Sequence, residues 1–205
     1  MLHLLPHAFA NLSEDFHTRQ NWEGFDNPFL VIENSDLKNE LGINSLGDQQ
    51  LLNIFNGTEK IESLKPLSMV YSGHQFGQYV EQLGDGRGLL LGQMSSNSGL
   101  IDIHLKGEGK TPYSRFGDGR AVLRSVIREY LCGEAMHALS IPTSRALMII
   151  GSDEMVIREK SESAAMLART AKTHIRFGSF EYFHYNNQPE DVKALADFCI
   201  NQYPA

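Results

Sequence analysis

The stretch from Gly99 to Leu139 reads GLIDIHLKGEGKTPYSRFGDGRAVLRSVIREYLCGEAMHAL. Its opening alternates. Ile101, Ile103 and Leu105 fall on one side of an extended chain, and Asp102, His104 and Lys106 on the other. Its second half, Ala121 to Leu139, is helical: Val122, Leu123, Val126, Ile127, Tyr130 and Leu131 recur as a broad apolar stripe. Between strand and helix lies a glycine- and basic-rich loop, Gly107 to Gly119.

The flanks decide what this strand, loop and helix belong to. NPFLVIEN (Asn27 to Asn34) reads as a short strand. SDLKNELG reads as a short helix with Leu37 and Leu41 on one face and Gly42 at its stop; DQQLLNIFNG repeats that logic, ending in Asn56-Gly57. SMVYSGHQFGQYVEQLGDGRGLLLGQM suggests strands joined by tight loops. RALMIIGSDEMVIRE predicts a hairpin turning at Gly151 to Glu154, and AAMLART another strand. EDVKALADFCINQY predicts a closing amphipathic helix with Val192, Leu195, Cys199 and Tyr203 on one side. Strands joined mainly by hairpins, around one long central helix, make an α+β fold with a mainly antiparallel sheet rather than a doubly wound one.

The 205 residues, 41% hydrophobic and 21% charged, suit one domain or a pair of small lobes. A net charge of −7 argues against a nucleic-acid partner bound through bulk electrostatics. The charge is uneven, however. From His104 to Arg128 six Lys/Arg stand against two acids, a balance of +4, which suits a discrete anionic ligand. Cys132 and Cys199 have neither zinc nor redox spacing and fit a reducing compartment. No apolar run approaches the roughly 20 residues that span a bilayer. The N-terminus lacks a basic region before an apolar core and carries Glu14 and Asp15, so the expectation is a cytoplasmic protein with no membrane partner.

The tetrapeptide Gly-Asp-Gly-Arg occurs twice, at Gly84 to Arg87 and at Gly117 to Arg120, with unlike flanks. That argues against a duplicated module and favours two loops with a shared task. The first copy reads either as a plain type I′ hairpin turn or as a nest of N–H groups around an anion, with Arg87 supplying charge. In the second, Asp118 reads as a helix N-cap, or as a group holding metal, base or sugar beside a helix start suited to phosphate. GEGKT imitates a phosphate-binding P-loop, but His104 stands where the pattern needs glycine and Pro112 follows at once. Glu129, on the inward face of the helix, needs a partner, and Lys106 is available. The pair is either an ordinary buried ion pair or the strand-lysine and helix-glutamate arrangement that orients nucleotide phosphates in kinases. Arg169 and Arg176 bracket a polar loop and read as surface arginines or as phosphate forks. Arg120, Arg124 and Arg128 read as a solvated helix face, and His74 as a loop-packing histidine.

Together the segments YSGHQFG, QLGDGRGLLLG, LKGEGKTPYSRFGDGRAVLRSVIREYLCGEAMHALSIPTSRAL and THIRFGSFEYF closely resemble the selenoprotein O family. The resemblance implies a protein-kinase-like (pseudokinase) N-terminal lobe at 61–183, with 1–60 packed on it as an extension. It implies a closing helix at 184–205 that leads toward a second lobe. It implies transfer of AMP from ATP to Ser, Thr or Tyr hydroxyls of substrate proteins, with ATP bound flipped relative to ordinary kinases. Carried over by motif, the ATP contacts are Gly84, Gly86, Arg87, Lys106, Asp118, Gly119, Arg169 and Arg176, with Glu129 positioning Lys106. Family members are more than twice as long. The catalytic aspartate and the ligands for Mg²⁺ (or Mn²⁺) are expected in the second lobe, so this chain is expected to bind nucleotide without turnover. The alternatives are a stand-alone ATP-binding regulatory module and a kinase that transfers the γ-phosphate.

Overall fold

A computed structural model describes residues 4–96 and 99–203. The first three residues of the expected extension and the last two of the closing segment lie outside the described residues. In chain order the elements are β1 (Leu4–Leu5), a 3-10 turn (Ala8–Asn11), β2 (His17–Arg19), β3 (Pro28–Glu33), α1 (Ser35–Glu40) and α2 (Asp48–Phe55). There follow β4 (Leu67–Met69), β5 (Gly73–Gln75), β6 (Gln78–Val80), β7 (Gly88–Ser96), β8 (Gly99–Lys106) and β9 (Ala121–Val122). The chain continues through α3 (Leu123–Ala138), β10 (Arg145–Ile157), β11 (Ser161–Ala171), α4 (Phe177–Tyr185) and α5 (Pro189–Gln202).

The fold is α+β, built on a large antiparallel sheet in the order β2-β4-β7-β8-β11-β10-β3. β1 joins β7, and β9 joins β11, also antiparallel. The tight β5–β6 hairpin stands apart from it.

The alternation of β8 gives the sheet two different faces. Ile103 and Leu105 join Leu89, Leu91, Met166 and Ala168 in a core completed by Leu51, Leu52, Ile54 and Phe55 of α2. On the opposite face α3 covers one end, with Val126 against Ala146, Ile149, Ala165 and Leu167. The other end is covered by α4 and α5, where Phe183 and Leu195 meet Phe9, Phe16, Leu67, Met69 and Leu90. Register places His104 beside Arg169 and Leu90, and Lys106 beside Leu167 and Gly88, so the polar side of β8 lies on this second face. Asp102 and His104 there are buried rather than solvated.

Three expectations need correction. GSDE does not turn: β10 runs unbroken through it, a bulge between Gly151 and Met155 absorbs the extra residues, and the chain reverses only after Ile157. Turn-like composition here marks a bulge, because β3 and β11 hold the strand from both sides. The predicted long central helix is α3, of 16 residues, but it is peripheral and α5 with 14 nearly equals it. Its stripe is also narrower than predicted: Val126 is buried, whereas Ile127 is 37% and Leu131 62% exposed, since only one side of α3 meets the sheet. Residues 177–185, for which the sequence offered no element, form α4, whose Phe180, Tyr182 and Phe183 all pack inward.

Candidate functional site

Between α3 and the α4–α5 pair, the uncovered part of the second sheet face is the floor of a cleft of about 1650 Å³. All eight residues expected to contact nucleotide line it: Gly84, Gly86, Arg87, Lys106, Asp118, Gly119, Arg169 and Arg176. Eight Lys/Arg line the cleft against three carboxylates, Asp85, Asp118 and Glu181, in a chain whose net charge is −7. Such a concentration of positive charge favours an anionic ligand.

The two Gly-Asp-Gly-Arg segments form adjoining walls. Residues 84–87 are not a two-residue hairpin, because the strands flanking them, β6 and β7, do not pair. They are instead laced to the Gly107–Gly119 loop: the Thr111 hydroxyl donates to the Asp85 carbonyl at 2.8 Å, and the Ser114 hydroxyl to the Gly86 carbonyl at 2.6 Å. Gly84 has φ +57°, and a Cβ there would lie 2.5 Å from Tyr113 Cγ; one on Gly86 would lie 2.8 Å from the Tyr113 carbonyl. Gly119, φ +75°, crosses Gly109 so closely that a Cβ would sit 2.0 Å from its carbonyl oxygen.

Asp118 is not the helix cap. Val122 holds that position without a side-chain bond, while the Asp118 carboxylate accepts from the Arg120 N–H at 2.9 Å and from both Nη atoms of Arg158 at 2.7 and 2.8 Å. The Arg158 bonds, aided by the Arg120 N–H, hold its pKa below the ordinary value. Nor is Arg120 part of a solvated face. It donates to the Glu108 and Gly24 carbonyls and to both oxygens of Glu154, and its guanidinium lies 4.5 Å from the centre of the Phe25 ring. Arg124 and Arg128 do remain exposed. His74 sits exposed on β5 with its ring against Tyr79 rather than packed in a loop.

At the α3 wall Lys106 and Glu129 form the expected ion pair, and Glu129 also accepts from Arg169 at 2.8 Å. Burial pushes the Glu129 carboxyl up, but Arg169 and Lys106 outweigh it and the net shift is downward. Burial lowers Lys106, and Glu129 only partly opposes this. At the α4 wall Arg176 stacks on Tyr71, 4.8 Å from the ring centre. Among the described residues lining the cleft, Arg87, Arg115 and Lys172 carry no ion pair, and Arg115 is held by the Gln75 side-chain oxygen at 2.8 Å.

The sequence reading passed over Asp85. It is 3% exposed, accepts from the Met69 N–H at 3.1 Å and the Tyr71 hydroxyl at 3.2 Å, and faces Arg176 at 3.8 Å. Burial alone would raise its pKa; His104, Arg176 and the Met69 N–H together hold it far below the carboxylate range. Arg158, His104 and Lys172 were passed over too. The available signal was the unusual pair of polar positions, Asp102 and His104, inside a strand flanked by apolar runs.

A family model described as protein adenylyltransferase SelO matches residues 3–205. The chain is 51% identical to a protein nucleotidyltransferase YdiU of Vibrio parahaemolyticus over 195 residues, covering 95% of this chain and 40% of that protein. It is 51% identical to that of an Enterobacter species over 191 residues, 92% of this chain and 40% of the relative. The corresponding figures for Pseudomonas putida are 50% over 198 residues, 95% and 41%. The chain thus spans about 40% of the length of these relatives, at their N-terminal part. Among the described residues no helix is long and apolar enough to cross a membrane. With a family match that runs from residue 3 to residue 205, the chain belongs to the SelO family of protein adenylyltransferases.

Proposed function

We propose that this chain is the ATP-binding part of a protein adenylyltransferase, a kinase-like N-terminal lobe at 61–183 on which residues 1–60 pack and from which 184–205 lead to the remainder of the enzyme. One observation carries the reading: eight residues from distant segments converge on one basic cleft. The strand lysine bound to a helix glutamate is the device with which kinases orient nucleotide phosphates. Arg87, Arg169, Lys172 and Arg176 supply charge for a triphosphate.

These walls suit an anionic nucleotide better than a resident cation. Among the described residues no three His, Cys, Asp or Glu side chains are grouped to hold an ion. Asp118 is engaged by Arg158, Asp85 by Tyr71 and the Met69 N–H, and Glu129 by Lys106 and Arg169. On this reading the metal ligands and the group that activates the acceptor hydroxyl belong to the remainder of the enzyme. What this part does is bind and orient: the glycine loops let backbone approach the nucleotide, and the arginines fix the phosphate chain for attack on the α-phosphorus.

Calorimetric titration with ATP tests the reading. Arg176→Ala and Lys106→Ala are expected to weaken binding, and Lys106→Ala to leave the melting temperature nearly unchanged because Arg169 still pairs with Glu129. No binding by a folded wild-type chain would defeat the proposal for this part alone. In the full-length protein, label from α-labelled ATP retained on substrate is the expected outcome; label transferred only from the γ position would mean an ordinary kinase.

A further inference from the structure

Two side chains beneath the cleft, His104 and Asp85, link Arg169 and Arg176. His104, on β8, is 1% exposed, and its Nδ1 lies 3.0 Å from an Nη atom of Arg169. A guanidinium only donates, so Nδ1 is the acceptor and the proton of the neutral ring sits on Nε2. The Nε2–H faces Asp85 Oδ1 at 3.6 Å, beyond hydrogen-bond length. Asp85 faces Arg176 at 3.8 Å, and Tyr71 braces both, its hydroxyl donating to Asp85 and its ring lying against the guanidinium. The His104–Asp85 pair therefore stands between the two guanidiniums.

The surroundings keep that ring neutral and fixed. Burial first, then the charge of Arg169, lower its pKa to about 3 against the opposing pull of Asp85. His174 stacks on it at 4.7 Å and is anchored by its own N–H to Asp102 at 2.9 Å. On the β7 side the ring rests over Gly88, where a Cβ would come within 2.6 Å of Cε1. A protonated His104 would lose its bond to Arg169 and place a further cation beside it.

We propose that His104 and Asp85 are positioning residues: His104, neutral and protonated on Nε2, fixes Arg169 through Nδ1, while Asp85 fixes Arg176, so that both guanidiniums are preset for a nucleotide's phosphate chain. The inference rests on the nucleotide reading above, but its first test does not. In ¹⁵N-histidine NMR spectra of the whole chain, the ring whose signals are missing in His104→Asn should show a bare Nδ1 and a protonated Nε2, unchanged from pH 5 to 8. A proton on Nδ1 of His104, or a charged ring at neutral pH, overturns the proposal.

Calorimetry with ATP supplies the second test. His104→Phe should weaken binding roughly tenfold, the scale of a hydrogen bond to a charged group. The same change should add almost nothing in an Arg169→Ala background. His104→Asn, whose amide oxygen can stand in for Nδ1, should retain most of the affinity. Losses that add in full would mean that His104 acts independently of Arg169, and the proposal fails. Should His104→Phe not fold, the cycle of Asp85→Asn with Arg176→Ala reads the same coupling on the other arginine. A folded wild type with the expected tautomer and no affinity for ATP sinks the nucleotide reading and leaves the positioning of Arg169 standing.

Discussion

Gly119 shows how much of the site depends on a missing side chain. Its φ of +75° already disfavours other residues, and its contact with the Gly109 carbonyl leaves no room for a methyl group. Gly119→Ala should cost at least ~1–2 kcal/mol from the backbone alone. Chemical denaturation should register that loss, and ATP titration a weaker site. The buried histidines set a pH dependence. An unfolded imidazole binds its proton near pH 6.5, about the ordinary value, whereas folded His104 resists until about pH 3. His17 and His174 are also lowered, chiefly by burial. The unfolded chain therefore binds more protons across that window, and stability falls as pH drops from 6.5 toward 3. For His104 alone the slope approaches ~1.4 kcal/mol per pH unit. Asp85 and Asp102, held low in the fold, add a further loss below about pH 4. Unfolding free energies measured between pH 7 and 4 should decline, less steeply in a His104→Phe variant that folds; a flat wild-type profile would contradict the assignment.

At the scale of elements, α3 should respond to substitution by face. Val126→Ala removes buried methyl groups between the helix and β10–β11 and should cost ~1–2 kcal/mol; Leu131→Ala, on the open side, should be nearly neutral in the same denaturant titration. The position of α3 was legible in its period, but which part of its stripe is covered was not, since periodicity records what could be buried and not what arrives to bury it. The α1 and α2 stops at Gly42 and Gly57 were equally legible, and both glycines take positive φ. β10 was misread because Gly-Ser-Asp-Glu carries turn chemistry, and only pairing with strands on both sides reveals a bulge. α4 escaped because aromatics on several sides blur its period. Within the site the Lys106–Glu129 pair followed from one awkward buried glutamate. The role of Asp85 did not, since the same letters also spell a hairpin turn, and its partners Met69, Tyr71, His104 and Arg176 meet only in the fold.

The whole molecule separates charge in space: an acidic chain carries one cleft lined by more than twice as many cations as anions. ATP affinity should accordingly fall as salt is raised from 0.05 to about 0.5 M, where the Debye length shrinks to a few ångströms. Salt-independent binding would place the nucleotide elsewhere. The sheet order has another outcome, in time rather than energy. Leu4 finds its place beside Met94, and Pro28 beside Ser152, so the outermost strands close over long spans of chain. Pairings that distant make folding slow. At about 5–20 residues per second, a ribosome needs on the order of ten seconds between delivering β3 and delivering its partner. For that interval Phe29, Leu30, Val31 and Ile32 have no strand to pair with, and this edge of the sheet closes only once β10 has arrived.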